Sequence, residues 1–221
     1  MHAVFKYTGN DVLLLGSREE DISVINEKEI AFMIGRKACL SAIGALGLSL
    51  VVGVGGSFAA PPAPHVVELA HNKLAQIGTD PLIIAAVKAA NAQGKTLVEI
   101  KALDEKWIAE RGLAEYMTKL INSDVGRHLS NIMYSTEYIM EIFVMDNLGA
   151  NVAMTGKTSD YWQGDEKKFK NSFNDGKGGV FIDDPDFDLS CQAFVVQISV
   201  PVMDGGKAIG AITFSVDVDR I

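Results

Sequence analysis

Cysteine is scarce in this chain. The 221 residues hold two, Cys39 and Cys191. Cys39 precedes an apolar run that is expected to be removed, and it stands in the wrong place to be a lipid-attachment cysteine. Cys191 is then alone, so no intrachain disulfide can form, and it is read as a small buried hydrophobe. Histidine is sparse too: of four, His65, His71 and His128 fall after the apolar run and are scattered, without zinc-site spacing. Positive charge is in the minority. Twenty Lys and Arg face 28 Asp and Glu, a net charge of −8. From Ala60 onward 15 face 22. Such a surface repels phosphate backbones and argues against a nucleic-acid partner.

Catalytic signatures are missing too. There is no nucleophile elbow, no cysteine with an identifiable histidine partner and no obvious acid–base carboxylate pair, so nothing points to an enzyme. Gly94-Lys95-Thr96 has Ala89 where a phosphate loop needs its first glycine, and a helical pattern precedes it. Asp184-x-Asp186-x-Asp188 copies the start of a calcium loop. Leu189 stands where its glycine belongs, however, and Val195 where its glutamate belongs. No metal and no cofactor are expected, and no internal repeat is present.

What is there begins with an export pattern. Arg36 and Lys37 precede an uncharged run from Ala38 to Val52 that turns glycine-rich through Gly56. Ser57-Phe58-Ala59 follows, then Ala60 and Pro61-Pro62-Ala63-Pro64. A basic start, an apolar centre and a small-x-small cleavage site form a secretory signal peptide. The prolines keep a helix from running on. Residues 33–59 are therefore expected to be a signal peptide, with an uncleaved anchor in the inner membrane as the alternative. Met33 is the expected true start, which makes residues 1–32 an over-long gene reading or else a cytoplasmic extension. Residues 60–221 are one domain, expected in the periplasm.

The first half of that domain has helical spacing. Val66, Val67, Leu69, Ala70, Leu74 and Ile77 form one face, and Gly78 can end the helix. Asp80-Pro81 caps and starts a second helix through Leu82, Ile83, Ala86, Val87 and Ala90. Thr96-Leu97-Val98-Glu99 is a capping box that opens a third, and Leu113, Met117, Leu120 and Ile121 suggest a fourth. The second half changes period. Residues 138–145 and 150–155 read as a hairpin around Asp146-Asn147-Leu148-Gly149. A short helix is expected over 165–173. Strands follow at 180–182, 193–200 and 208–218, the last two joined by Asp204-Gly205-Gly206. Pro201 requires a sheet edge or a bulge. The fold class is α+β, a five-stranded antiparallel sheet with a long N-terminal helix and additional helices.

The local wording resembles the Cache family of extracytoplasmic sensor domains, whose fold is PAS-like. The matching phrases are Ile142-Phe143-Val144-Met145-Asp146-Asn147-Leu148-Gly149, then Thr158-Ser159-Asp160-Tyr161-Trp162-Gln163-Gly164-Asp165-Glu166, then Val180-Phe181-Ile182-Asp183-Asp184. The fullest is Ile198-Ser199-Val200-Pro201-Val202-Met203-Asp204-Gly205-Gly206-Lys207-Ala208-Ile209-Gly210-Ala211-Ile212. The resemblance implies a pocket between the sheet and the segment joining strands two and three, taking amino acids or short carboxylates. It places Tyr161 and Trp162 in that segment as stacking surface, against a plain role as a roof over the core. Asp165 is a candidate that could equally cap the short helix. Lys168 is the nearest cation to the arginine that grips a ligand carboxylate in amino-acid-binding relatives, and a solvated lysine is the alternative. Asp188 matches an aspartate that holds a ligand ammonium. The chain departs from that pattern in having Asp186-Phe187-Asp188 where relatives carry Tyr-x-Asp. It also lacks their Arg-x-Trp-Tyr run and has Ser215 where a last-strand aspartate belongs.

The expected function is a free-standing periplasmic sensory domain that receives a small molecule and passes its state to a membrane receptor or histidine kinase, as in chemotaxis. The alternative is a ligand-free interaction module that pairs through its N-terminal helix with itself, as a homodimer, or with a receptor.

Overall fold

The computed structural model describes residues 4–8, 11–15, 61–188 and 193–221. The predicted export segment 33–59 and Cys191 therefore lie outside the described residues. The chain divides into two units, Met1–Gly56 and Ser57–Ile221. The first contains an antiparallel pair, β1 (Val4–Thr8) and β2 (Asp11–Leu15), with Val4 opposite Leu15. Among the described residues no helix is long and apolar enough to cross a membrane.

The second unit opens with helices whose ends follow from their capping residues. Pro64, which needs no N–H donor, stands at the start of α1 (Pro64–Leu69). The helix continues through a π-helical stretch (Ala70–Leu74) into a last α turn (Ala75–Ile77). Asp80 accepts from the N–H groups of Leu82 and Ile83 and starts α2 (Pro81–Ala92). The Thr96–Glu99 capping box forms with both bonds in place and starts α3 (Leu97–Ala109). Then come α4 (Glu115–Ile121) and α5 (Asp124–Tyr134), the latter capped by Ser123. The apolar pattern over 113–121 gave α4; α5, with Val125 and Leu129 as its buried positions, lay beyond it.

The strands are β3 (Ile139–Met145), β4 (Asn151–Met154), β5 (Phe181–Ile182), β6 (Asp186–Asp188), β7 (Ala193–Asp204) and β8 (Lys207–Asp217). Their order is β4-β3-β8-β7-β5, all antiparallel, with β6 also paired to β7. The sheet is five positions wide but holds six strands. Its expected third strand, 180–182, is β5, and β6 is an additional strand set off by Asp183-Asp184-Pro185, where proline offers no ladder donor. The short helix α6 (Lys167–Phe173) begins two residues later than the pattern suggested and lies between β4 and β5 in sequence. Pro201 is inside β7, opposite Ala211. β5 reaches only to Ser199 on the other side, so Pro201 occupies a local edge. The β7–β8 turn has Gly205 and Gly206 at φ 57° and 82°, the left-handed backbone a two-residue hairpin demands.

The helices divide between the two faces of the sheet. On the first, Leu69, Leu74, Ile83, Val87, Val125 and Leu129 pack against Ile142, Val144, Ile198, Val200, Ile212 and Phe214. The expected N-terminal helix is the helical run Pro64–Ile77 on this face, and the second helix α2 and the unforeseen α5 lie on the same face. On the second face Ile100, Trp107 and Met117 from α3 and α4 pack with Phe143, Met145, Met154, Tyr161 and Phe169.

Candidate functional site

Alternation along the central strands decides what each face is made of. In β7, Val196, Ile198, Val200 and Val202 belong to the first core. The residues between them, including Gln197 and Ser199, turn to the second face. In β8, Ile212, Phe214 and Val216 do the same, leaving Thr213 and Ser215 on the second face. Ser199 and Thr213 are cross-strand partners with hydroxyls 2.8 Å apart. The second face is therefore mixed, apolar at Phe143, Met145 and Met154 and polar at Glu141, Gln197, Ser199, Thr213 and Ser215. A closely packed apolar cover there would strand these groups, so a cavity is the consistent solution.

The segment between β4 and α6 forms the cover, and a short-range network fixes its path. Asn151 Nδ2 donates to Thr158 Oγ1 (2.7 Å) and to the Asp160 carbonyl (3.1 Å). Trp107 Nε1 donates to the Thr158 carbonyl at 2.8 Å, tying the segment to α3. Asp104 of α3 accepts from the N–H groups of Tyr161 (2.8 Å) and Trp162 (3.0 Å). Gln163 Nε2 donates to the Asp160 carbonyl, and the Gln163 amide oxygen has no hydrogen-bond partner among the described residues.

Under this cover is a cavity of about 360 Å³. Its polar walls are Glu141, Lys157, Thr158, Ser159, Gln163 and Gln197; Phe143 and Lys168 complete it. A second space of about 350 Å³ shares Lys168 and Gln197 and is walled by Glu166, Asp183, Asp184 and Asp186. Lys168 thus stands between a mixed and an acidic chamber. It is 8% exposed. Its ammonium is 2.9 Å from Glu166 Oε2 and 5.3 Å from the centre of the Phe143 ring. A cation in the first turn of α6 also opposes the helix dipole.

The sequence-derived candidates separate. Lys168, weighed against a solvated side chain, is buried at the cavity. Tyr161 is buried in the second core, 5.5 Å from Trp107 between ring centres, with its hydroxyl 3.3 Å from Lys95 Nζ. Trp162 and Asp165 line a separate acidic depression with Lys101, Asp104 and Glu105. The Trp162 indole donates to the Leu148 carbonyl (2.8 Å), and Lys101 lies 4.5 Å above its ring. Asp165 is exposed, and the N-cap of α6 is Glu166. The Asp188 side chain lies outside the described residues; its backbone pairs with Ala193. Glu141, Thr158, Gln163 and Gln197 were missed. The available signal was polar residues at strand positions whose neighbours are core, as in Val196-Gln197-Ile198.

Nearby, the hairpin turn is held by Asp146, whose Oδ1 accepts from the N–H groups of Leu148 (2.9 Å) and Ala150 (3.0 Å). Burial pushes its carboxyl above the ordinary range, against the pull of those donors.

The α+β class and the antiparallel sheet five positions wide are those expected from the sequence. No protein-family model and no curated protein matches the chain. Among solved structures it is similar to the sensor domain of the V. cholerae histidine kinase DctB, at 11% identity over 71% of this chain and 50% of that one, with a TM-score of 0.36. It is similar to the sensory domain of the Campylobacter jejuni chemoreceptor Tlp3 with isoleucine bound, at 14% identity over 71% and 64% with a TM-score of 0.34. A third is the ligand-binding domain of the Pseudomonas aeruginosa amino acid chemoreceptor PctC in complex with GABA, at 12% over 67% and 61% with a TM-score of 0.32. The chain spans half to just under two thirds of the length of these chains.

Proposed function

We propose that residues 60–221 form a Cache-type sensory domain, working outside the cytoplasm, that binds a small polar molecule in the cavity beneath the 155–166 segment. The observation that carries this reading is Lys168: a buried ammonium at the wall of a cavity with a polar floor. A buried charge is costly unless it is paired or used. Its ion-pair partner among the described residues, Glu166, is more exposed than Lys168 itself. Lys168 would hold a carboxylate of the ligand. Gln163, Gln197 and Thr158 would supply hydrogen bonds, and Phe143 apolar contact. Binding would couple the 155–166 segment, α6 and the β5–β6 edge into one arrangement, and a receptor or kinase would read that shift in population. The domain is read as a binder rather than an enzyme.

Thermal melts of the full chain with L-alanine, L-valine, 4-aminobutyrate, acetate, succinate and putrescine test it. A ligand at 100 times its dissociation constant adds about 2.7 kcal/mol. At this size that raises the midpoint by roughly 5 to 10 °C. Lys168→Met, close in length and apolar, should keep the fold and abolish the shift from any carboxylate. Silence across the panel with both proteins would reject the binding reading in favour of a partner-only module.

A further inference from the structure

The geometry points to Glu166 as an internal competitor: its carboxylate pairs with Lys168, and an incoming carboxylate must displace it. This rests on the binding reading of the same cavity. Glu166 stands at the N-cap of α6, where a side-chain oxygen ordinarily accepts from the backbone of the first turn. It makes no such bond. Its Oε2 lies 2.9 Å from Lys168 Nζ instead. The two side chains differ sharply in environment: the Lys168 side chain is 10% exposed and that of Glu166 38%. Lys168 loses most of its hydration whichever anion it meets. Glu166 can return to water at little cost, because it borders the depression lined by Trp162 and Asp165 as well as the acidic chamber it shares with Lys168. One partner is fixed and the other is free to leave, the arrangement of a displaceable stand-in.

Two consequences follow. The domain rejects weak monocarboxylates, because each must outcompete a tethered carboxylate at high effective concentration. Displacement also frees the residue that begins α6, so exchange of the ion pair moves the helix start along with the cover segment. Glu166 is thereby a specificity-determining and positioning residue.

The test is isothermal titration of the full chain as wild type, Glu166→Gln and Lys168→Met, with acetate, succinate and L-alanine at constant ionic strength. Circular dichroism checks each fold, and Glu166→Ala serves as a second variant should the glutamine protein misfold. Glu166→Gln should bind acetate and succinate about two- to fivefold more tightly, the range of a partly exposed ion pair. Lys168→Met should bind neither. Carboxylate binding newly visible only in Glu166→Gln would support the proposal equally. Wild-type binding that Lys168→Met abolishes but Glu166→Gln leaves unchanged would overturn it while the binding reading stood. A loss of L-alanine alone in Glu166→Gln would also overturn it, making Glu166 a direct ligand of the ammonium. No binding by any of the three proteins would remove the binding reading and this inference together.

Discussion

Asp80 Oδ1 accepts from the N–H groups of Leu82 and Ile83 at 2.8 and 3.4 Å, and its Oδ2 is 2.9 Å from His128 Nε2. One side chain therefore starts α2 and ties it to α5. Partial burial is the largest single influence on this carboxyl and works upward. The Leu82 N–H, His128 and the Ile83 N–H together outweigh it and hold the group below its ordinary value of 3.8. A carboxyl whose folded value is lowered adds stability above its unfolded value, and that stability is lost as pH falls through the folded value. Asp80→Asn keeps a capping oxygen and removes the charge. It should be less stable than wild type at pH 7, and the gap should close as pH drops below about 3.8. Denaturant melts at pH 7, 5 and 3 measure this. A gap that does not narrow at all between pH 5 and pH 3 would mean that the amide disrupts the cap itself. The cap was legible in Asp80-Pro81, but its bond to His128, 48 positions away, was not.

Among the elements, the hairpin of β7 and β8 is the spine, and β3 approaches β8 closely at one point. A Cβ on Gly210 would lie 2.3 Å from the Met145 carbonyl oxygen and 2.9 Å from Val87 Cγ1. Neither neighbour is a flexible side-chain end, so the sheet or α2 must shift. Gly210→Ala should destabilise by about 1 to 3 kcal/mol, as overpacking does. Unchanged stability in urea melts would show that β3 and α2 yield at no cost. The turn residues, the capping boxes and the hairpins were legible because each depends on neighbours within about four positions. The additional strand β6 was not, since it is defined only by pairing with β7.

For the whole molecule, one sheet serves two unlike layers. The layer of α1, α2 and α5 is a dry apolar core; the layer of α3, α4, α6 and the cover carries the polar cavity. Stability and binding should therefore separate under mutation. Leu129→Ala, fully buried on the first face, should cost about 2 to 5 kcal/mol and leave ligand affinity per folded molecule unchanged. Trp107→Phe removes the donor to the Thr158 carbonyl and leaves that oxygen unpaired, at about 1 to 3 kcal/mol. It should weaken binding too, because Thr158 lines the cavity. Calorimetry of both variants with a ligand found in the thermal panel separates these outcomes. Equal loss of affinity in the two would mean that the sheet does not insulate its faces.

Hydrophobic period, caps and turn chemistry determined the element order and the α+β class, since these are local matters of backbone preference and apolar spacing. Tertiary structure alone decided which polar residues share a cavity. Lys168 comes from α6, Gln197 from β7, Glu141 from β3 and Gln163 from the cover. Only the pairing of β3 with β8 and β8 with β7, and the burial that removes water from Lys168, brings them together. Sequence spacing carries no record of that desolvation. Tyr161 and Lys168, seven positions apart and both marked as candidates, accordingly part company: the aromatic ring fills the core and the cation faces the cavity.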